Sequence, residues 1–348
     1  MVTSKAPVDW SGLYHGPLTW VPERTIFLTR AGSHAYGLAT PESDLDLRGV
    51  VIPPKEYFLG FAHHFEQAES HDPDLVLYDI RKFFALAAAC NPSILELLWA
   101  EPEDHLLVTA LGRRLLEHRT AFLSRRVRHT FSGYAVAQLK RIKTHRRWLT
   151  QPPTHKPTRA EFGLPETSLL SADILGAIEA VERAAVQDLS AFPAHVMDLY
   201  RRERAYQNAL REWHQYEQWK AHRNPKRAAL EAKVGYDCKH AMHLVRLMRS
   251  CREILTTGQV VVKRPDRDEL LAIRDGAWSY EQLIQWSEQE DQALEAVAQR
   301  SPLPERPDRQ KLDSLCIAMV EEAIGLIPSP EGAVAKSVEI VRRPHPTD

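Results

Sequence analysis

Gly32-Ser33-His34-Ala35-Tyr36-Gly37, followed by Ser43-Asp44-Leu45-Asp46-Leu47-Arg48-Gly49, is the stretch that decides how this 348-residue chain begins to fold. Apolar Ile26-Phe27-Leu28 leads into the Gly-Ser break. A short helical pattern then runs to about Leu38, and turn-rich Thr40-Pro41-Glu42-Ser43 delivers the chain to a second strand. Side chains alternate along a strand, so Asp44 and Asp46 fall on one face and Leu45 and Leu47 on the other. Two neighbouring carboxylates repel unless something positive joins them. A hard divalent cation, Mg²⁺ or Mn²⁺, is the simplest partner and can bridge carboxylates to phosphate oxygens. The Gly32-Ser33 turn can present a backbone N–H and a hydroxyl to phosphate at the positive end of the following helix.

A metal-assisted phosphoryl site needs a further ligand or base. The next acidic strand, Asp74-Leu75-Val76-Leu77-Tyr78-Asp79, offers Asp74 across a small sheet from the first pair. Asp79 is the alternative third carboxylate, with helix capping as its competing role. Strands are expected at 25–30, 45–52 and 74–78. A helix from about Asp79 carries Ile80, Phe83 and Phe84 inward, and another starts at Asn91-Pro92-Ser93. From about residue 106 the pattern turns helical: 106–118, 120–148, 169–186, 192–222, 226–257, 267–272, 279–299 and 309–326. Val260-Val261-Val262 reads as a short strand or edge cover. The fold class is therefore α+β, a small mixed-sheet domain followed by a predominantly helical one. The divisions are a catalytic domain at 1–105 with an N-terminal lead-in, a helical substrate-binding domain at 106–300, and a C-terminal helix and tail at 301–348.

The apolar fraction of 44% and charged fraction of 26% are those of an ordinary globular chain. No apolar run approaches a membrane span, and Met1-Val2-Thr3-Ser4-Lys5 lacks the hydrophobic stretch of a signal peptide, so cytoplasm is the expected location and no membrane partner is expected. Cys90, Cys238, Cys251 and Cys316 match no paired zinc-ligand spacing and read as buried free thiols. The net charge of −1 conceals segregation: residues 113–159 hold 13 Lys or Arg and a single acid, Glu117. Such a block suits a phosphate-rich partner.

The run from Gly32 to Gly49 resembles the signature of nucleotidyltransferases of the DNA polymerase beta superfamily, in a bacterial and phage group sometimes linked to RNA repair. Asp79-Ile80-Arg81-Lys82-Phe83-Phe84, the segment Asn91–Leu98, Phe131–Ala135, Gln138–Arg146 and Gly235–His243 resemble the same group. The resemblance implies catalytic, metal-binding carboxylates at Asp44, Asp46 and Asp74, and phosphate positioning by Gly32 and Ser33. It implies transfer of a nucleoside monophosphate from an NTP, ATP among the candidates, to a hydroxyl with release of pyrophosphate.

The acceptor is less legible. Lys140 and Arg141 lie on a basic helix that can clamp a triphosphate or guide an RNA backbone without reading bases. Lys239 and His240 are candidate nucleotide contacts, and His34 lies beside the phosphate turn. Asp237, His240 and His243, at i, i+3 and i+6, resemble a fragment of a metal site, but without the His-x-x-x-His spacing that projects two imidazoles from one face. Trp148 reads as core or as a stacking ring. RNA is the favoured acceptor. A protein hydroxyl, a small molecule, or an inactive nucleotide- or RNA-binding protein are the alternatives, and no oligomeric state is indicated.

Overall fold

The structure, a computed structural model, describes residues 10–183 and 192–326. The start of the N-terminal lead-in, the end of the 169–186 helix and the 328–348 tail lie outside the described residues. The chain forms two compact units, residues 1–141 with 238–348, and residues 142–237.

The first unit opens with α1 (Val21–Arg24), β1 (Thr25–Arg30) and the one-turn α2 (Gly32–Ala35). There follow β2 (Asp46–Val51), α3 (Glu56–Leu59), β3 (Gln67–His71), β4 (Asp74–Asp79), α4 (Ile80–Ala88), α5 (Pro92–Leu98), β5 (His105–Val108), α6 (Ala110–Glu117) and α7 (Val127–Thr150). The five strands form one mixed sheet in the order β3-β4-β2-β1-β5. β2 and β4 run parallel and the other neighbours are antiparallel. Leu28, Leu47, Val51, Leu75 and Leu77 pack with Val21, Phe65 and Trp10 into a core on the sheet. Asn91 caps α5, its side chain accepting from the Ile94 N–H, with Pro92 at the first helical position, where its missing N–H costs nothing.

The second unit carries α8 (Ala172–Arg183), α9 (Ala194–Ala221) and α10 (Pro225–Val234), with Leu170, Ile178, Met197 and Tyr200 clustered inside it. The chain returns to the first unit through α11 (Cys238–Thr257), α12 (Arg267–Arg274), α13 (Tyr280–Arg300) and α14 (Arg309–Ala323). A mixed-sheet region followed by a largely helical region is thus the architecture.

Several elements differ from the sequence reading. Residues 105–108 are an edge strand paired to β1, not the start of a helix, and β3 was not anticipated at all. Val260–Val262 form no strand, although Val260 and Val262 are buried. The single helix expected over 226–257 is two, because Gly235 takes a left-handed conformation (φ 86°) that ends α10. Asp237 therefore precedes α11 and does not share a helix face with His240 and His243. All four cysteines are free and buried, and Trp148 is buried.

Candidate active site

The sheet register brings the acids together. In the parallel pair, Asp46 lies opposite Asp74, with Leu47 opposite Leu75 on the core face. Asp46 and Asp74 are thus placed side by side by a pairing that the buried leucines enforce. Asp44 sits in the loop before β2 and is exposed, not on the strand as its spacing suggested. Pairing along β1 runs out where Ala31 N donates to Asp46 O and the chain turns into α2. Ahead of it, a turn closes through Ser43 N to Thr40 O and Thr40 N to Ser43 Oγ, both 2.9 Å.

Gly32 begins α2 with φ 59°, and a Cβ there would stand 2.2 Å from Asp46 Oδ2. Only glycine allows both the backbone turn and the carboxylate at that spot. Arg48, two residues along β2 from Asp46, donates from Nη1 to Asp74 O (2.6 Å) and from Nη2 to Asp74 Oδ2 (2.8 Å). That guanidinium holds the Asp74 carboxyl below the usual carboxylate range, against some burial. Burial raises Asp46, and the neighbouring charges and hydrogen bond of Asp74 push it further up, against the lowering effect of Arg48. Two facing carboxylates beside one arginine form an arrangement that a divalent cation fits, because the cation relieves their repulsion.

A cleft of about 160 Å³ opens beside this pair, with Gly32, Tyr36, Asp46, Arg48, Tyr78 and Glu96 in its walls. It is smaller than the roughly 300–1,000 Å³ of enclosed ligand pockets. Of the sequence-predicted residues, Gly32 and Asp46 line it, and Asp74 reaches it through Asp46 and Arg48. Ser33, His34 and Asp44 adjoin without lining it, and Lys140, Arg141, Lys239 and His240 lie on α7 and α11 outside its walls. Asp79 is buried on the opposite strand face. It caps α4 by accepting from Arg81 N (2.7 Å) and forms an ion pair with Arg81 Nη2 (2.7 Å).

Sequence reasoning missed the support behind the cleft. Tyr36 Oη donates to Glu96 Oε2 (2.6 Å), Glu96 Oε1 pairs with Arg246, and the Arg246 guanidinium lies 3.7 Å from the Tyr36 ring centre. Burial raises the Tyr36 hydroxyl well above its ordinary range, so it stays a donor. The signal was present: Ile94-Leu95-Glu96-Leu97-Leu98 and Leu244-Val245-Arg246-Leu247-Met248 each embed one charge in an apolar run, which is costly unless the charges meet.

His145 and Asp237, both in the second unit, form a second set of groups of the kind that ligate metals. Asp237 Oδ2 faces His145 Nδ1 at 3.2 Å and also pairs with Arg227, so its charge already has partners. Imidazole suits zinc and other transition metals, whereas Mg²⁺ prefers oxygen, so this set and the aspartates of the sheet call for different ions.

Part of the chain is similar to known proteins. Residues 16–155 match the family model RlaP, described as the RNA repair pathway DNA polymerase beta family. An uncharacterized 38.9 kDa protein of the nrdC-mobD intergenic region of Enterobacteria phage T4 is 33% identical over 90 residues, covering 23% of this chain and 27% of the phage protein. The uncharacterized protein YcgL of Bacillus subtilis (strain 168) is 30% identical over 78 residues, 22% of this chain and 30% of its own length. The chain thus spans less than a third of the length of these relatives. No solved structure matches it. No helix among the described residues is long and apolar enough to cross a membrane. Over residues 16–155 the chain is thus similar to the RNA repair pathway DNA polymerase beta family, and this match supports placing its N-terminal region in the DNA polymerase beta superfamily.

Proposed function

We propose that this protein transfers a nucleoside monophosphate from an NTP to a hydroxyl acceptor, RNA by preference, with release of pyrophosphate. The observation that carries the reading is the side-by-side placement of Asp46 and Asp74 next to the Gly32 turn. Asp44, Asp46 and Asp74 would hold Mg²⁺ or Mn²⁺, which when bound supplies charge stabilisation to the phosphate oxygens. Gly32 and Ser33 offer the start of α2 to phosphate, and Arg48 and Arg30 bring positive charge to the cleft. Asp74, which accepts from Arg48, would align the attacking hydroxyl and take its proton. Tyr36, Glu96 and Arg246 keep the wall behind it rigid.

The test is transfer of label from α-labelled ATP, GTP, CTP or UTP to RNA in the presence of Mg²⁺ or Mn²⁺. Asp44→Asn combined with Asp46→Asn should lower the rate by three decades or more, the several kcal/mol that metal chemistry contributes. Full activity in that double variant sinks the mechanism. A protein substrate heavier by one nucleotide, or a labelled small molecule, would move the acceptor class. Metal-dependent NTP binding with no product from any acceptor set would make the protein a binder and not an enzyme.

A further inference from the structure

The second unit contains a feature that the carboxylate site does not use. Trp213, Tyr216 and Trp219 recur every three residues along α9, so they form one row on the helix. Their ring centres are 6.0 and 5.9 Å apart. Trp148 braces the row from within, 5.8 Å from Tyr216 and 5.3 Å from Trp219. Trp148 is buried while Trp213, Tyr216 and Trp219 stay partly exposed.

Cations border this row. The Arg223 guanidinium lies 4.2 Å from the Trp219 ring centre and Lys220 Nζ 5.9 Å from that of Tyr216. Arg147 is paired with Glu212, and Lys220 lies 3.9 Å from Glu217. The Arg147 and Lys220 side chains are 53% and 64% exposed, and exposed pairs of this kind are weak enough for a phosphate to compete.

From this geometry we infer that α9 carries a stacking platform for unpaired RNA bases, with Lys220 and Arg147 taking the phosphates between them. Aromatic faces next to cations are the chemistry by which proteins hold single strands without reading their sequence. Unpaired bases, whose faces are free to stack, suit such a row, and duplex bases, whose faces are already stacked, do not. The inference rests on RNA as the acceptor class of the proposed function, and it gives the second unit the task of holding that RNA.

The experiment uses the full chain and a fluorescein-labelled, unstructured 12-nucleotide oligouridine, read by anisotropy without metal or NTP. A label is needed because the chain has eight tryptophans. Binding should weaken with salt, and blunt duplex RNA should compete poorly. Trp213→Ala should lose at least ten-fold in affinity, Trp213→Phe should retain most of it, and Lys220→Ala should flatten the salt dependence. Unchanged binding in a folded Trp213→Ala variant overturns the platform. So does equal loss in Trp213→Phe and Trp213→Ala, or equal affinity for duplex. RNA bound through Trp213 without any metal-dependent transfer would overturn the nucleotidyltransferase reading alone. Transfer to another acceptor by a protein that ignores the oligouridine would overturn the platform alone.

Discussion

The interior of the first unit and the face of α9 that carries the aromatic row use charge in opposite ways. In the first, Arg246 is buried against Glu96, and Arg264 is buried against Glu253 and Asp266 at 2.6 and 2.8 Å. In the second, Arg147 and Lys220 keep most of their charge in water beside partly exposed aromatic rings. Buried pairs have one good geometry and tolerate no missing partner, whereas exposed ones exchange partners at little cost. The contrast separates a fixed interior from an adaptable surface.

The comparison breaks most sharply at Glu96. Glu96→Ala leaves the Arg246 guanidinium without its carboxylate and removes the acceptor of Tyr36, so urea denaturation should show a loss of about 3–5 kcal/mol. If Glu96→Ala were as mild as a surface change, the rigidity assigned to the cleft wall would be wrong. A smaller effect tests the same interior by pH. Burial, joined by Arg246 and Lys239, lowers His243 to about 3, so the folded protein keeps it neutral while the unfolded chain protonates near 6.5. Its contribution to stability is complete above pH 6.5 and declines as pH falls below that value. Between pH 6.5 and 5 the loss should reach up to about 2 kcal/mol, and His243→Gln should flatten the slope. The least effect belongs to the second unit: Arg147→Ala breaks the exposed pair with Glu212 and should cost less than about 1 kcal/mol in the same denaturation assay. A larger cost would mean that the surface charges of α9 are structural.

The motif part of the site was legible because glycine, aspartate and the strand period each carry a local rule. β1 and β4 follow their apolar runs, and Asp79 ends one of them as a helix cap. β3 gave no signal because its inward side chains, Ala68 and Ser70, are small or polar. His105-Leu106-Leu107-Val108 continues the apolar spacing of α6, and only its pairing with β1 makes it a strand. The partnership of His145 with Asp237 joins residues 92 apart, beyond the reach of any spacing rule. The aromatic row of α9 was readable in principle, since Trp213-x-x-Tyr216-x-x-Trp219 has helical spacing. The density of charge on α7 drew the reading elsewhere.

The parallel register of β2 and β4 has one more effect. Asp46 and Asp74 face each other because Leu47 and Leu75 do, on the other side of the same strands. Chemistry and solidity are therefore counted on one ruler. A molecule whose strands pair one residue out of step would turn its acids inward and its leucines outward. Such a molecule would show the cell's proteases and chaperones a row of exposed leucines.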